Sequence, residues 1–192
     1  MTFLVSALLA MSVFLNVFLA RKVAFLRVQN KVLVDSDQLQ VGSPVPPLTG
    51  SSPSGTPMSV RFGDVRIPTV LYIFSPQCGW CAKNIENFRS LISQAGTGYR
   101  VVGLSTTRQD LDDYLSRERL ILPVFASLDS VLIAAYHVNS TPTTIVISPD
   151  GKVLRVWTGA YQDGLRHEVE AFLGVHLLPC CDGGAPELKT KS

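Results

Sequence analysis

Apolar positions divide the chain into stretches of different character. Phe3 to Ala20, FLVSALLAMSVFLNVFLA, is uncharged and nearly all apolar, with Asn16 its one strongly polar intruder. It has no amphipathic face, and its length sits at the lower edge of what crosses a bilayer as a helix. No small-residue cleavage site follows Ala20-Arg21-Lys22, so residues 1–22 read as an uncleaved transmembrane anchor. Residues 23–41 space Val23, Leu26, Val28, Val32, Leu33 and Leu39 among mixed charges and read as a short helical stalk. Residues 42–59, GSPVPPLTGSSPSGTPMS, are dominated by Pro, Gly, Ser and Thr. No regular element is expected there, only a linker or lead-in segment.

The pattern changes in residues 60–174, where a folded domain is expected. Thr69 to Phe74 is a continuous β-rich apolar run of the kind buried on both faces of a sheet. Ser75-Pro76-Gln77 breaks it, and a helix is predicted from Cys78 to about Gln94 on the stripe Ile85, Phe88, Leu91 and Ile92. Tyr99 to Leu104 reads as a second strand. Thr107-x-x-Asp110 resembles a capping box opening a helix that buries Leu111, Tyr114 and Leu115. A short strand at Leu122 to Phe125 and a brief helix at Ser130 to Tyr136 follow. Thr143 to Ile147 and Lys152 to Trp157 form a hairpin about Pro149-Asp150-Gly151. Leu165, Val169, Phe172 and Leu173 mark a last amphipathic helix. The order β-α-β-α-β-α-β-β-α implies an α/β domain with a mixed sheet covered on both faces. Residues 175–192 read as a flexible tail holding Cys180-Cys181.

Composition narrows the function. Hydrophobic residues are 46% and charged residues 17%, which excludes a disordered chain. The net charge is +2, with no basic stripe interleaved with aromatics, so nucleic acid is not expected as a partner. Four cysteines are too few for a disulfide-stapled mini-fold. Arg21, Lys22, Arg27 and Lys31 follow the apolar run, and positive charge favours the cytoplasmic side.

Cys78-Gly79-Trp80-Cys81 carries the chemistry. Where a buried strand hands over to a helix, Cys78 lies at the helix N-terminus, and free N–H groups and the macrodipole favour its thiolate. The thiolate is the attacking species in thiol–disulfide exchange. Two intervening residues bring the second sulfur back within bonding reach one turn later. Cys78 would then attack a partner's disulfide and Cys81 would resolve the mixed disulfide. Gly79 lets the loop bend, and Trp80 offers a flat apolar surface beside the sulfur. Lys83 either adds positive potential or is simply solvated. A CxxC is also half of a zinc site, but no CxxC or HxxxH mate exists and adjacent Cys180 and Cys181 cannot readily share one tetrahedral metal. A purely structural disulfide closes so short a loop that it removes little unfolded-state entropy. Thr141-Pro142-Thr143 precedes a core strand, an unusual place for proline unless it makes a special turn. A cis Thr141–Pro142 bond would present the Thr141 backbone to an extended peptide; an ordinary trans proline at a strand start fits the local sequence equally.

FSPQCGWC after a buried strand, the later TPT, the PDG hairpin and TGAYQDGLRHEVEAFL together resemble the thioredoxin superfamily. The branch they resemble most is that of the membrane-tethered TlpA/ResA-type thiol–disulfide oxidoreductases, and GSPVPP resembles the lead-in of redoxin domains. The resemblance covers about residues 41–174. It implies a thioredoxin-like fold, Cys78 as nucleophile, Cys81 as resolving thiol, and Thr141, cis Pro142 and Gly159 beside the site, with Trp80, at the substrate-binding surface. It implies neither a cofactor nor a metal. It further implies a single-pass protein of the cytoplasmic membrane with its domain on the outer, periplasmic side, against the basic flank after the apolar run. Its partners would be thiols and disulfides of exported proteins, in maturation of a cofactor-bearing protein for example, and a membrane redox donor or acceptor. The chain departs from the pattern in three places. Tyr72 stands where many thioredoxins have a buried Asp, Gln77 replaces the aromatic before the first cysteine, and Gly-Trp is not the usual dipeptide. That dipeptide tunes the potential, so the direction of electron flow stays open.

Other residues carry weaker signals. A soft-metal carrier on the same fold would use Cys78, Cys81 and His137. Cys180-Cys181 could relay electrons to Cys78, bind a soft metal or be incidental. His167 and His176 read as surface residues, and Asp112-Asp113 as a solvated helix face. A peroxidase reading has no support, because no loop holds a Thr and a Cys after a proline in the required pattern.

Overall fold

The computed structural model describes residues 11–23, 39–126 and 130–178. Contacts divide the chain into two units, Met1–Gln38 and Leu39–Ser192. In the first, residues 11–23 are helical (α1) with every side chain exposed. Asn16 is satisfied within that helix, its Nδ2 donating to the Ser12 carbonyl at 2.8 Å. Among the described residues no helix is long and apolar enough to cross a membrane. The predicted span begins outside them, as do the stalk residues 24–38.

The second unit is built on a five-stranded sheet in the order β5-β4-β3-β6-β7. Its strands are β3 (Thr69–Phe74), β4 (Arg100–Ser105), β5 (Val124–Phe125), β6 (Thr143–Ile147) and β7 (Val153–Thr158). β3 is central, parallel to β4 and antiparallel to β6, so the sheet is mixed. All six residues of β3 are buried, as a strand with neighbours on both edges and cover on both faces requires. Alternation sends Val70, Tyr72 and Phe74 to one core and Leu71 and Ile73 to the other. The first core is closed by α2 (Gly79–Lys83), α3 (Ile85–Ala95), α4 (Leu111–Arg117) and α6 (Asp163–Leu173) through Cys81, Phe88, Leu91, Tyr114 and Val169. Each large side chain buried this way contributes about 1.5–3 kcal/mol.

The opposite face holds the largest departure from the sequence expectation. Residues 42–59 are not without regular structure: β1 (Leu48–Ser51) and β2 (Pro57–Val60) form an antiparallel hairpin. Leu48 is fully buried, and Val45, Phe62, Leu132 and Tyr136 join it in the second core, with α5 (Ser130–Ala135) alongside. The segment before the hairpin is stitched to β7 and the turn preceding it, through Gly42 N to Val153 O (2.7 Å) and Val45 N to Gly151 O (2.8 Å). Ser, Thr and Pro suffice here because only one face of the hairpin meets the core. The register alternates Leu48, Met58 and Val60 against polar neighbours.

Three smaller boundaries also differ. The predicted helix from Cys78 breaks at Asn84 into α2 and α3. No capping box forms at Thr107-x-x-Asp110: α4 begins at Leu111, and Asp110 adopts a left-handed conformation (φ 56°) with no side-chain cap. The reason is competition, since Gln77 Nε2 donates to the Asp110 carboxylate at 3.1 Å. Finally, the chain stays packed beyond residue 174. Val175 and Leu177 are buried, and Gln94 Oε1 accepts from His176 N at 2.8 Å. Cys180 and Cys181 lie outside the described residues.

Candidate functional site

Topology collects the candidate residues at one edge of the sheet. β3, β4 and β5 run parallel, so the turns after Phe74, Ser105 and Phe125 leave on the same side. β6 runs the other way, with Thr143 opposite Ile73, so the Thr141-Pro142 turn enters there. β7 pairs Thr158 with Thr143, which brings Gly159 to the same edge. Loops beyond the carboxyl ends of such strands are where open α/β sheets place their chemistry.

Cys78 is the N-cap of α2, with extended backbone (φ −80°, ψ 115°). Its Sγ accepts from the Cys81 backbone N–H at 3.2 Å. Burial works against a charged sulfur, but hydrogen bonds from the Cys81 thiol, the Thr141 side chain and the backbone amides of Cys81 and Trp80 outweigh it. The Cys78 thiol is therefore held below its ordinary value. As a neutral thiol it donates instead to the Thr141 carbonyl at 3.4 Å. The stabilisation of the charge is local, because α2 is only five residues long. Cys81 has the opposite setting: it is fully buried, and burial together with the hydrogen bond to Cys78 pushes its thiol up to about 12. Both thiols are free. One sulfur is thus half-exposed and acidic, the other buried and kept neutral.

The other residues singled out in the sequence are placed as follows. The Thr141–Pro142 peptide bond is cis. Gly159 N donates to the Pro142 carbonyl at 2.8 Å, tying the turn after β7 to the turn before β6. Gly159 has φ 104°, a conformation side chains rarely adopt, although a Cβ there would meet open space. Trp80 is exposed beside the sulfurs, and Lys83 Nζ sits 4.5 Å from its ring centroid, so the two share the rim as a cation–π pair. Among the described residues no group of three or more His, Cys, Asp or Glu side chains is arranged to hold a metal ion, so His137 does not join the two thiols in such a cluster.

Behind the sulfurs lies a neutral polar network of which the sequence singled out only Tyr72. Asn84 is fully buried at the break between α2 and α3. Its Nδ2 donates to Tyr72 Oη (3.1 Å), and its Oδ1 accepts from Tyr161 N (2.8 Å). Tyr161 and Thr144 share a hydroxyl bond of 2.5 Å. Burial raises the phenols of Tyr72 and Tyr161, so both stay neutral. A signal for Asn84 existed. It lies on the same helical face as Cys81 and Phe88, and an amide inside an apolar stripe requires buried partners.

In front of the sulfurs, Gln77 is clamped. Its Nε2 donates to the Gln109 carbonyl and to Asp110 Oδ2, both at 3.1 Å, and its Oε1 accepts from Ser75 Oγ at 3.1 Å. Cys78 N closes the same turn onto the Ser75 carbonyl at 3.1 Å.

Residues 41–156 match the model of the AhpC/TSA family. A thioredoxin-like protein of Haemophilus influenzae is 30% identical over 108 residues, covering 55% of this chain and 62% of its own length. The thiol-disulfide oxidoreductase ResA of Bacillus subtilis is 23% identical over 146 residues, 73% of this chain and 80% of its own. Among solved structures, the thioredoxin domain of a Bacteroides vulgatus thiol-disulfide oxidoreductase superposes with a TM-score of 0.57 at 22% identity, covering 71% of this chain and 99% of that one. The fold is thioredoxin-like, and the chain belongs to the AhpC/TSA family.

Proposed function

We propose that this member of the AhpC/TSA family is a thiol–disulfide oxidoreductase that works through Cys78 and Cys81. The observation that carries the reading is the asymmetry of the pair: a half-exposed sulfur accepting the Cys81 amide, and a buried partner one turn behind. In the reducing direction the Cys78 thiolate attacks one sulfur of a partner disulfide. The partner's S–S bond breaks, and the leaving thiolate takes a proton. Cys81 then gives up its proton and attacks Cys78 Sγ, releasing the second partner thiol and forming the Cys78–Cys81 disulfide. Two electrons pass to the partner, and the reverse sequence oxidises it.

The acidic thiol supports Cys78 as the attacking group, and the concealed one supports Cys81 as the resolving group. Trp80, Thr141, Pro142 and Gly159 form the surface a partner would meet. Exported proteins are the partners this reading favours, because disulfides persist in oxidising compartments. The apolar run from Phe3 supports an anchor in the cytoplasmic membrane, with the domain outside and a membrane redox partner supplying or taking electrons. The basic residues after the run count against that orientation, and a reporter fusion at each end decides it.

The test of the chemistry is turbidimetric insulin reduction, with Cys78→Ser as control. Activity in the wild type and none in Cys78→Ser is the expected result, and equal activity in both ends the reading. A redox titration against a glutathione or dithiothreitol couple then assigns reductant or oxidant.

A further inference from the structure

One rim of the site is built from parts distant in sequence. The turn of the β1–β2 hairpin lies at the sheet edge that carries Cys78: the Ser51 carbonyl accepts from Ala126 N (2.8 Å), immediately after β5. Arg108, on the loop after β4, donates from Nη2 to Ser51 Oγ at 2.6 Å and to the Ser52 carbonyl at 3.4 Å. The next two residues, Gln109 and Asp110, are those that hold Gln77. Hydrogen bonds from Arg108 to the hairpin tip and from Gln77 to Gln109 and Asp110, joined by the backbone of residues 108–110, therefore connect the tip to the residue preceding the nucleophile.

Arg108 is exposed, and so are Gln77, Gln109 and the tip residues Ser54 and Thr56. The guanidinium is held on one nitrogen only. Among the described residues Nε and Nη1 have no partner, and no carboxylate pairs with it. A fixed cation with donors to spare differs from a solvated one. Its orientation is set before any partner arrives, so a contact made there costs little further ordering. Arginine presented in this way is over-represented in protein interfaces. Beside it, Ser52, Ser54 and Thr56 link their hydroxyls at 2.8 and 3.2 Å in an exposed polar row.

We infer that Arg108 and the β1–β2 tip form a docking surface for the polypeptide flanking a partner protein's disulfide, kept in register with Cys78 by Gln77. The inference rests on the oxidoreductase reading and names its substrate class: a protein rather than a small disulfide. The flanking segment is extended and uncharged, its backbone carbonyls accepting from the guanidinium. Asp110, Asp112 and Asp113 follow Arg108 directly and disfavour an acidic segment through like-charge repulsion.

The experiment uses the full chain in detergent and two substrates, insulin and the neutral small molecule bis(2-hydroxyethyl) disulfide. Arg108→Ala should lower the ratio of kcat/KM for insulin to that for the small disulfide by about tenfold, the loss falling on KM, as expected for removal of an interface arginine. Arg108→Lys should not restore it, because an ammonium held on Ser51 lacks the separate Nε and Nη1 donors that the guanidinium leaves for a partner. Ser51→Ala, which leaves the guanidinium only its longer bond to the Ser52 carbonyl, should lower the ratio by a smaller factor. An unchanged ratio in Arg108→Ala overturns the inference. So does a parallel fall for both substrates, which would place Arg108 in the chemistry or the fold. A wild type that turns over neither substrate, or a Cys78→Ser chain as active as the wild type, sinks the oxidoreductase reading instead.

Discussion

Replacing Asn84 by alanine tests how the buried network supports the reactive pair. The side chain has no solvent exposure and makes two hydrogen bonds, one to Tyr72 Oη and one from Tyr161 N. Alanine leaves the Tyr161 amide buried without an acceptor, a penalty of about 1–3 kcal/mol. Losing the bond to Tyr72 and leaving a small void add roughly 1 kcal/mol more. The expected loss is therefore about 2–4 kcal/mol, a large share of the 5–15 kcal/mol typical of a domain. Urea unfolding followed by tryptophan emission measures it as a lower midpoint at constant slope. The second readout is chemical. Asn84 terminates α2, its N–H bonding to the carbonyls of Trp80 and Cys81, so loosening it should expose the buried thiol. Maleimide counting by mass spectrometry should find only Cys78 modified within the native wild-type CxxC, and both thiols in the variant. A loss under about 1 kcal/mol with Cys81 still protected would refute the reasoning.

Other expectations are shorter to state. Alkylation of Cys78 by iodoacetamide should rise with pH around a midpoint below the value of about 8.5 for a free thiol, because hydrogen bonds favour the folded thiolate. The linked stability runs the same way. A depressed folded value stabilises the fold above the unfolded thiol's titration, and that gain is lost as pH falls through the folded one; a midpoint at or above the free-thiol value contradicts the assignment. Cys81→Ser should accumulate a mixed disulfide with insulin chains, visible on non-reducing gels, whereas Cys78→Ser should form none. Gly103→Ala should cost about 1–3 kcal/mol through overpacking, since its Cβ would lie 3.0 Å from Val124 Cγ2 and 3.3 Å from a Phe74 ring carbon, both in buried side chains. Thermal unfolding checks it, and an unshifted midpoint would mean the two side chains yield freely.

The parts of the fold legible in the sequence are those where one local pattern decides the outcome. TVLYIF is β-branched, aliphatic or aromatic at every position, as suits a strand covered on both faces, and the observed β3 has those bounds. The CxxC turn was legible because the break after Phe74 leaves nowhere else for the helix to start. What escaped was decided by distant partners. The β1–β2 hairpin is weak by composition and exists because Leu48 enters a core formed by β3, β4 and β6. Asp110 has the chemistry of a cap, yet its carboxylate is taken by Gln77 from 33 residues away. Asn84 interrupts a helix whose propensity is otherwise continuous, because Tyr72 and Tyr161 draw its side chain inward. The same division holds at the site. The sulfurs could be read from spacing alone, whereas Arg108 and Gln77 gain their relevance only from the loops that fold beside them.

The placement of the two tryptophans gives the protein an optical readout of its own. Trp157 is buried edge-on against Phe172, with ring centroids 5.5 Å apart, and senses only whether the domain is assembled. Trp80 is 53% exposed and sits in the chain between the two sulfurs. Sulfur quenches a neighbouring indole to a degree set by its charge and bonding, so the emission of Trp80 should change as the cysteine pair closes, while Trp157 stays constant as an internal standard. Electron transfer can then be followed in real time without a dye.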